Sequence, residues 1–362
     1  MTDCGQDFFL GNIPLFFHIV TVFLHSFMIT MLATKALIRN MKRWYKGGQP
    51  ITKYLPDHAS KRGTPSMGGI AILMGIIIPT IFWNPSSPVV LVGYGVLALF
   101  GCLGAYDDLS KLMQKRNAGI SPRVKFFLQY LAAFLAVIAI VFTTPPHVNP
   151  YMIQIPFFPD MTLDSPIFYM FFSTFVIVAT ANAVNLTDGL DGLATRVTLP
   201  CFIFVAIIAF IISDTHLAQQ FSLEYIFMAR DVVTLAVGAI GALMGFLWYN
   251  KPKASIFMGD TGSMALGALL AFCFLLIRQE LLLPIAGFVI LMETLSVIIQ
   301  ITFIKLKNKK VFLFAPLHHH FEQKGWCEST IVERFSICSI LCCVFASAIV
   351  LLHAYINAVP IE

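Results

Sequence analysis

The feature that most constrains this chain is a succession of long apolar runs separated by short polar loops. In hydrocarbon a backbone can satisfy its own hydrogen bonds only as a helix or a closed barrel, and a spanning helix needs roughly 20 apolar residues. By that criterion about ten spans are expected, at 13–37, 67–83, 89–105, 125–142, 167–184, 197–212, 232–248, 263–276, 282–304 and 335–356. Charged residues make up 12% and hydrophobic ones 58%, whereas a soluble domain carries roughly 25% charge. The predicted fold class is therefore an all-α polytopic membrane protein, a single integral-membrane domain over 1–362, and a soluble fold is excluded. The net charge of +5 is no sign of nucleic acid. Of 24 Lys and Arg, all but Arg230 and Arg278 fall on one side of the alternating topology. That asymmetry assigns the basic loops to the cytoplasm and both termini to the outer, periplasmic side of an inner membrane. Acidic residues (Asp3, Asp7) precede the first run, so it does not read as a signal peptide. The 8 Cys form no CxxC pair and mostly lie in apolar runs, as small hydrophobes do. Two outer segments carry weak structure: 151–155 and 159–162 form a possible hairpin, and 213–231 a short interfacial helix.

Chemistry gathers in the inner loops. The densest stretch is Asn182-Ala-Val-Asn185-Leu-Thr-Asp188-Gly189-Leu190-Asp191-Gly192-Leu-Ala194, between two apolar runs. Two Asn and two Asp at a membrane edge are costly unless they face protein or water, and the glycines suggest that a helix ends there. Lys61-Arg62-Gly63-Thr64-Pro65-Ser66-Met67-Gly68-Gly69 puts cations on a Gly/Pro turn at a helix start, a pattern suited to anions. Asp107 and Asp108 are expected at a helix C-terminus, where the macrodipole opposes them unless Mg²⁺ or a lysine intervenes. Lys111 and Lys125 follow in the same loop. Asn250 precedes Phe257-Met-Gly-Asp260-Thr-Gly-Ser263, in which Asp260 opens a helix as a cap or as something more. Glu293 lies deep in a span, its partner open. His318, His319 and His320 cannot all face one metal in regular structure, so one or two phosphate contacts are expected.

On the predicted topology these groups come from five separate inner loops and share the cytoplasmic face, while the outer loops carry no comparable constellation. A transport pathway would place ionisable groups near the midplane instead. Carboxylates and carboxamides suit Mg²⁺, and lysine and histidine complete the neutralisation of a pyrophosphate. The residues therefore point to Mg²⁺-assisted phosphoryl transfer between a cytosolic and a lipid reactant.

Taken together, the segments 61–69, 107–108, 185–194, 257–263 and 315–320 closely resemble the bacterial phospho-N-acetylmuramoyl-pentapeptide-transferases, in order and across nearly the whole chain. Two mild departures are Ser66, where the family usually has Thr, and Leu109, where Tyr often follows the Asp pair. The resemblance implies that undecaprenyl phosphate attacks the β-phosphate of UDP-N-acetylmuramoyl-pentapeptide, releasing UMP and forming lipid I. It implies Asp107 as base or orienter of the lipid phosphate, Asp260 as Mg²⁺ ligand with Asn185 assisting, and Asp108 in support. It puts the uridine near Lys61, Gly189, Leu190, Asp191 and Phe257. Asp188, Asn250 and the three histidines then line the diphosphate and sugar. Ser66, Lys111, Lys125 and Asn182 complete the substrate-binding set, and a homodimer in the lipid bilayer is implied. The alternatives are a related transferase of N-acetylglucosamine phosphate and, remotely, a secondary transporter; the Pro-Leu-His-His-His segment favours the muramoyl enzyme.

Overall fold

The computed structural model describes residues 15–44, 63–84, 86–114, 119–156, 158 and 161–358. Almost all of them are helical. The elements are α1 (Leu15–Trp44), α2 (Gly69–Trp83), α3 (Pro88–Gln114), α4 (Pro122–Thr143), β1 (Met152–Gln154), β2 (Thr162–Asp164), α5 (Pro166–Thr187) and α6 (Leu193–Ile212). They continue with α7 (Thr215–Gln220), α8 (Ala229–Asn250), α9 (Gly259–Leu276), α10 (Leu283–Ala286), α11 (Phe288–Lys307), α12 (Leu317–Gln323) and α13 (Glu328–Ala358). Among the described residues 9 helices are long and apolar enough to cross a membrane, and α2 is a shorter apolar helix. The chain is thus a multi-pass membrane protein, with nine long helices and one short one where about ten spans were expected.

The bundle is organised around α9. Nearly all of its residues are buried, and it packs on α3, α5 and α2, while α1, α2 and α6 gather on α8. Phe, Leu and Ala fill this core, and the other large apolar side chains point outward, as a helix bundle in lipid requires. Small residues let the helices approach where the polar groups lie. A Cβ on Gly69 of α2 would sit 2.1 Å from the Gly262 nitrogen of α9, and one on Gly104 of α3 would sit 2.2 Å from the Asp260 carbonyl oxygen. Gly192 is left-handed (φ 76°), which turns the chain between α5 and α6 within five residues.

Two local expectations are corrected. Asp107 and Asp108 are not at a helix end, because α3 runs on to Gln114. No Gly or Pro interrupts 106–114, and Asp107 and Lys111 form an i,i+4 ion pair that supports the extra turns. The span expected at 282–304 is broken at Gly287, between α10 and α11. The outer hairpin exists, with Met152 opposite Asp164 and Gln154 opposite Thr162, so its second strand lies slightly beyond 159–162, of which 159 and 160 are outside the described residues. The short helix expected in 213–231 is α7, capped by Asp214.

Candidate active site

The ends of α3, α4 and α9 bring three carboxylates and two lysines together. Lys111 Nζ lies 2.8 Å from Asp107 Oδ2 and 3.2 Å from Asp260 Oδ1. Lys125 Nζ, from the first turn of α4, lies 2.6 Å from Asp260 Oδ2 and 3.3 Å from Asp107 Oδ2. Two acids and two ammonium groups thus alternate in a closed ring. The Ile120 backbone N–H donates to Asp107 Oδ1 at 2.8 Å, fixing the carboxylate from a third side.

Asp108 has a different task. It accepts from the backbone N–H groups of Asp260 (3.1 Å) and Thr261 (3.0 Å) and from the Thr261 hydroxyl (2.8 Å). The first N–H groups of α9 have no intrahelical partner, and α9 has no cap of its own. Asp108 therefore caps α9 from α3 and orients the backbone that carries Asp260. Ser66 Oγ is buried beside this cap without a partner among the described residues. Gly259, at φ 75°, leaves room there, since its Cβ would come 2.9 Å from Ser66 Oγ and 2.6 Å from Asp108 Oδ2. The turn carrying Ser66 is tied to the α9 entry by Phe257 N–H to Pro65 C=O (2.8 Å) and Gly68 N–H to Phe257 C=O (2.9 Å).

The central stretch begins inside α5, which ends with Asp188 as its C-cap. Asn182 interlocks with Gln129 of α4: its amide donates to Gln129 Oε1 (2.8 Å) and Gln129 returns a bond to its oxygen (3.2 Å). Asn185 Nδ2 donates to Ser263 Oγ at 2.9 Å, beside the first turn of α9. Burial, reinforced by the charges of Asp260 and Asp108, holds the Asp188 carboxyl well above the usual carboxylate range. Asp191 Oδ2 accepts from Ala254 N–H (2.9 Å), while its own N–H donates to Glu328 of α13 (2.6 Å). Asn250 is buried, accepts from the Thr195 hydroxyl (3.1 Å) and donates to Ile256 C=O (2.9 Å). The three histidines of α12 diverge. His318 is buried against Glu293, His319 pairs with Glu322, and His320 Nδ1 accepts from Leu313 N–H at 3.1 Å. Gly189 lies against His318, Leu190 is buried and Phe257 is half-buried. Lys61 and Arg62 lie outside the described residues.

Several of these contacts were not foreseen. Gln129, Thr261, Glu328 and Glu322 hold the named groups in place, yet of these only Thr261 stood inside a recognisable motif; the others sit singly on helices. Among the described residues no three His, Cys, Asp or Glu side chains form a cage for a metal. The donor set nevertheless fits Mg²⁺, a cation that takes few protein oxygens and keeps waters or phosphate oxygens for the rest. Asp260 supplies carboxylate oxygens. Asn185, its amide nitrogen already used by Ser263, has a carbonyl oxygen left to offer.

Comparison with known proteins shows the family. The family model for glycosyl transferase family 4 matches residues 89–278, and signature 1 of phospho-N-acetylmuramoyl-pentapeptide-transferase matches residues 61–73. The chain is 39% identical to the phospho-N-acetylmuramoyl-pentapeptide-transferase of Bartonella quintana over 327 residues, 90% of each chain. It is 41% identical to the enzyme of the same name from Nitratiruptor over 323 residues, 88% of this chain and 90% of the relative. The signature match and these near full-length similarities agree, and the chain belongs to the phospho-N-acetylmuramoyl-pentapeptide-transferase family.

Proposed function

We propose that the protein transfers phospho-N-acetylmuramoyl-pentapeptide from UDP-N-acetylmuramoyl-pentapeptide to undecaprenyl phosphate, giving lipid I and UMP for peptidoglycan synthesis. One phosphoanhydride replaces another, so no further energy source is required. The observation that carries this reading is the ring of Asp107, Lys111, Lys125 and Asp260, in which both lysines contact both acids. Phosphoryl transfer is mostly positioning and charge neutralisation, and such a ring supplies both. The two lysines bind phosphate oxygens of the two reactants. Asp107, held by Ile120 N–H and both lysines, orients the lipid phosphate, which near neutral pH is largely ionised and needs little help from a base. Asp260 and Asn185 would hold Mg²⁺, which would neutralise charge on the diphosphate. Gly189, Leu190, Asp191 and Phe257, with Lys61, frame the uridine. Asp188, Asn250 and the histidines frame the diphosphate and sugar, with Ser66 and Asn182 at the margins. The basic-loop asymmetry supports an inner-membrane protein with this site facing the cytoplasm, and family membership supports a homodimer.

The test is UMP release from UDP-N-acetylmuramoyl-pentapeptide in detergent, with undecaprenyl phosphate, with and without Mg²⁺. Release that needs both lipid and metal, and that Asp260→Asn abolishes, is the expected result. A well-folded protein that releases UMP only from UDP-N-acetylglucosamine would overturn the choice of sugar.

A further inference from the structure

Glu293 is wholly buried in the second turn of α11, with Ile290 and Ser296 for neighbours on the same face. A buried carboxylate is costly unless it is paired and hydrogen-bonded. Among the described residues, every hydrogen bond to its oxygens comes from one residue, His318. The His318 backbone N–H lies 3.1 Å from Oε1 and 3.4 Å from Oε2, and His318 Nδ1 lies 3.0 Å from Oε2. The opposite edge of the ring is different. His318 Nε2 is buried and has no partner among the described residues. It abuts the central stretch at Gly189, where an added Cβ would lie 2.2 Å from Nε2 and 2.7 Å from Cε1. His319 and His320 are engaged elsewhere, by Glu322 and Leu313 N–H.

An ionised Glu293 can only accept, so Nδ1 must carry hydrogen and Nε2 is the one atom left for a ligand. With hydrogen on both ring nitrogens, Nε2–H is a donor suited to a phosphoryl oxygen. We propose that Glu293 is a positioning residue: it clamps His318 at the backbone and at Nδ1, so that Nε2–H meets a phosphate oxygen of the nucleotide-sugar diphosphate beside Gly189. This rests on the transferase reading above, and it distinguishes His318 from its two neighbours.

Glu293→Gln is the informative variant. A carboxamide has one acceptor oxygen for two donors, so its NH₂ must face either the His318 N–H or Nδ1. The ring loses either its backbone tether or its Nδ1 hydrogen bond, while side-chain volume is kept. Misplacing a group that touches a reactant costs roughly 10²-fold, so kcat/KM for UDP-N-acetylmuramoyl-pentapeptide should fall by about that factor, with KM raised. His318→Gln should fall as far, and the double variant no further, because Glu293 acts only through His318. Glu293→Asp keeps the charge and should regain about tenfold of the loss. A Glu293→Gln enzyme within about threefold of the parent, or losses that multiply in the double variant, would overturn the proposal. So would failure of both Glu293 variants to fold, which would make the pair purely structural. Wild-type turnover with indifferent variants defeats this proposal alone; absence of wild-type UMP release defeats it together with the transferase reading.

Discussion

Replacing Lys125 by Met removes one ammonium group from the acid–lysine ring and keeps most of the side-chain volume. At an effective dielectric of about 20, the attraction to Asp260 at 2.6 Å is about 6 kcal/mol and that to Asp107 at 3.3 Å about 5 kcal/mol. Most of this is cancelled by the desolvation of the ions, several kcal/mol each. Removing one partner of a fully buried pair costs about 3–5 kcal/mol. Here Lys125 retains 19% exposure and Lys111 remains beside both acids, so the expected net loss is about 2 kcal/mol. Mg²⁺ can take the carboxylate oxygens that Lys125 releases. Thermal unfolding in detergent, followed by tryptophan fluorescence, should therefore show a lower midpoint for Lys125→Met without metal and a larger Mg²⁺-dependent rise than in the parent. UMP release should fall by about 10²-fold, since a phosphate-binding cation is lost. A variant as stable as the parent, with the same Mg²⁺ response, would refute the view that lysine and metal share these oxygens.

Asn250→Ala should leave the Thr195 hydroxyl and the Ile256 carbonyl without their partner in a buried turn, a loss of about 2–4 kcal/mol read from denaturation midpoints. On the opposite end of the bundle, Glu280 has both oxygens buried without a partner among the described residues, and burial pushes its pKa from 4.5 to about 8. The folded state then holds this proton more tightly than the unfolded chain, so stability is lost as pH rises from 4.5 to about 8. Glu280→Gln should match the parent near pH 4.5 and exceed it by about 4 kcal/mol above pH 8; equal pH slopes for the two would refute this.

The helices were legible because a long apolar run has one fate in lipid, and the inner-loop motifs because clustered carboxylates and carboxamides at a membrane edge demand a reason. What was not legible was which protein partner holds each polar group. Asn182, Asp191 and Asn250 read alike with Asn185 and Asp260 in sequence, and only the fold pairs Asn182 with Gln129, Asn250 with Thr195 and Ile256, and Asp191 with the Ala254 N–H. The acid–lysine ring escaped for a similar reason. Its members lie on three helices, and only the Asp107–Lys111 spacing is visible along the chain. The apolar run of α3 stops near 105, but the Asp107–Lys111 i,i+4 ion pair carries the helix on to Gln114.

The adjacency of Asp107 and Asp108 is then explained by helix geometry. Consecutive residues on α3 point about 100° apart, so neighbours cannot share one task. Asp107 faces the lysines, and Asp108 faces the first turn of α9, where an anion gains about 0.3–2 kcal/mol from the helix N-terminus. The approach that permits this is made by Gly104, one turn earlier on α3, whose missing Cβ lets the Asp260 carbonyl come close. One short segment of α3 therefore supplies a close-packing point, an oriented acid and a cap. The cap fixes the backbone of Asp260, the residue on which the lysines converge. An Asp108 variant should consequently disturb the site through the position of Asp260, even where its own carboxylate never touches a reactant.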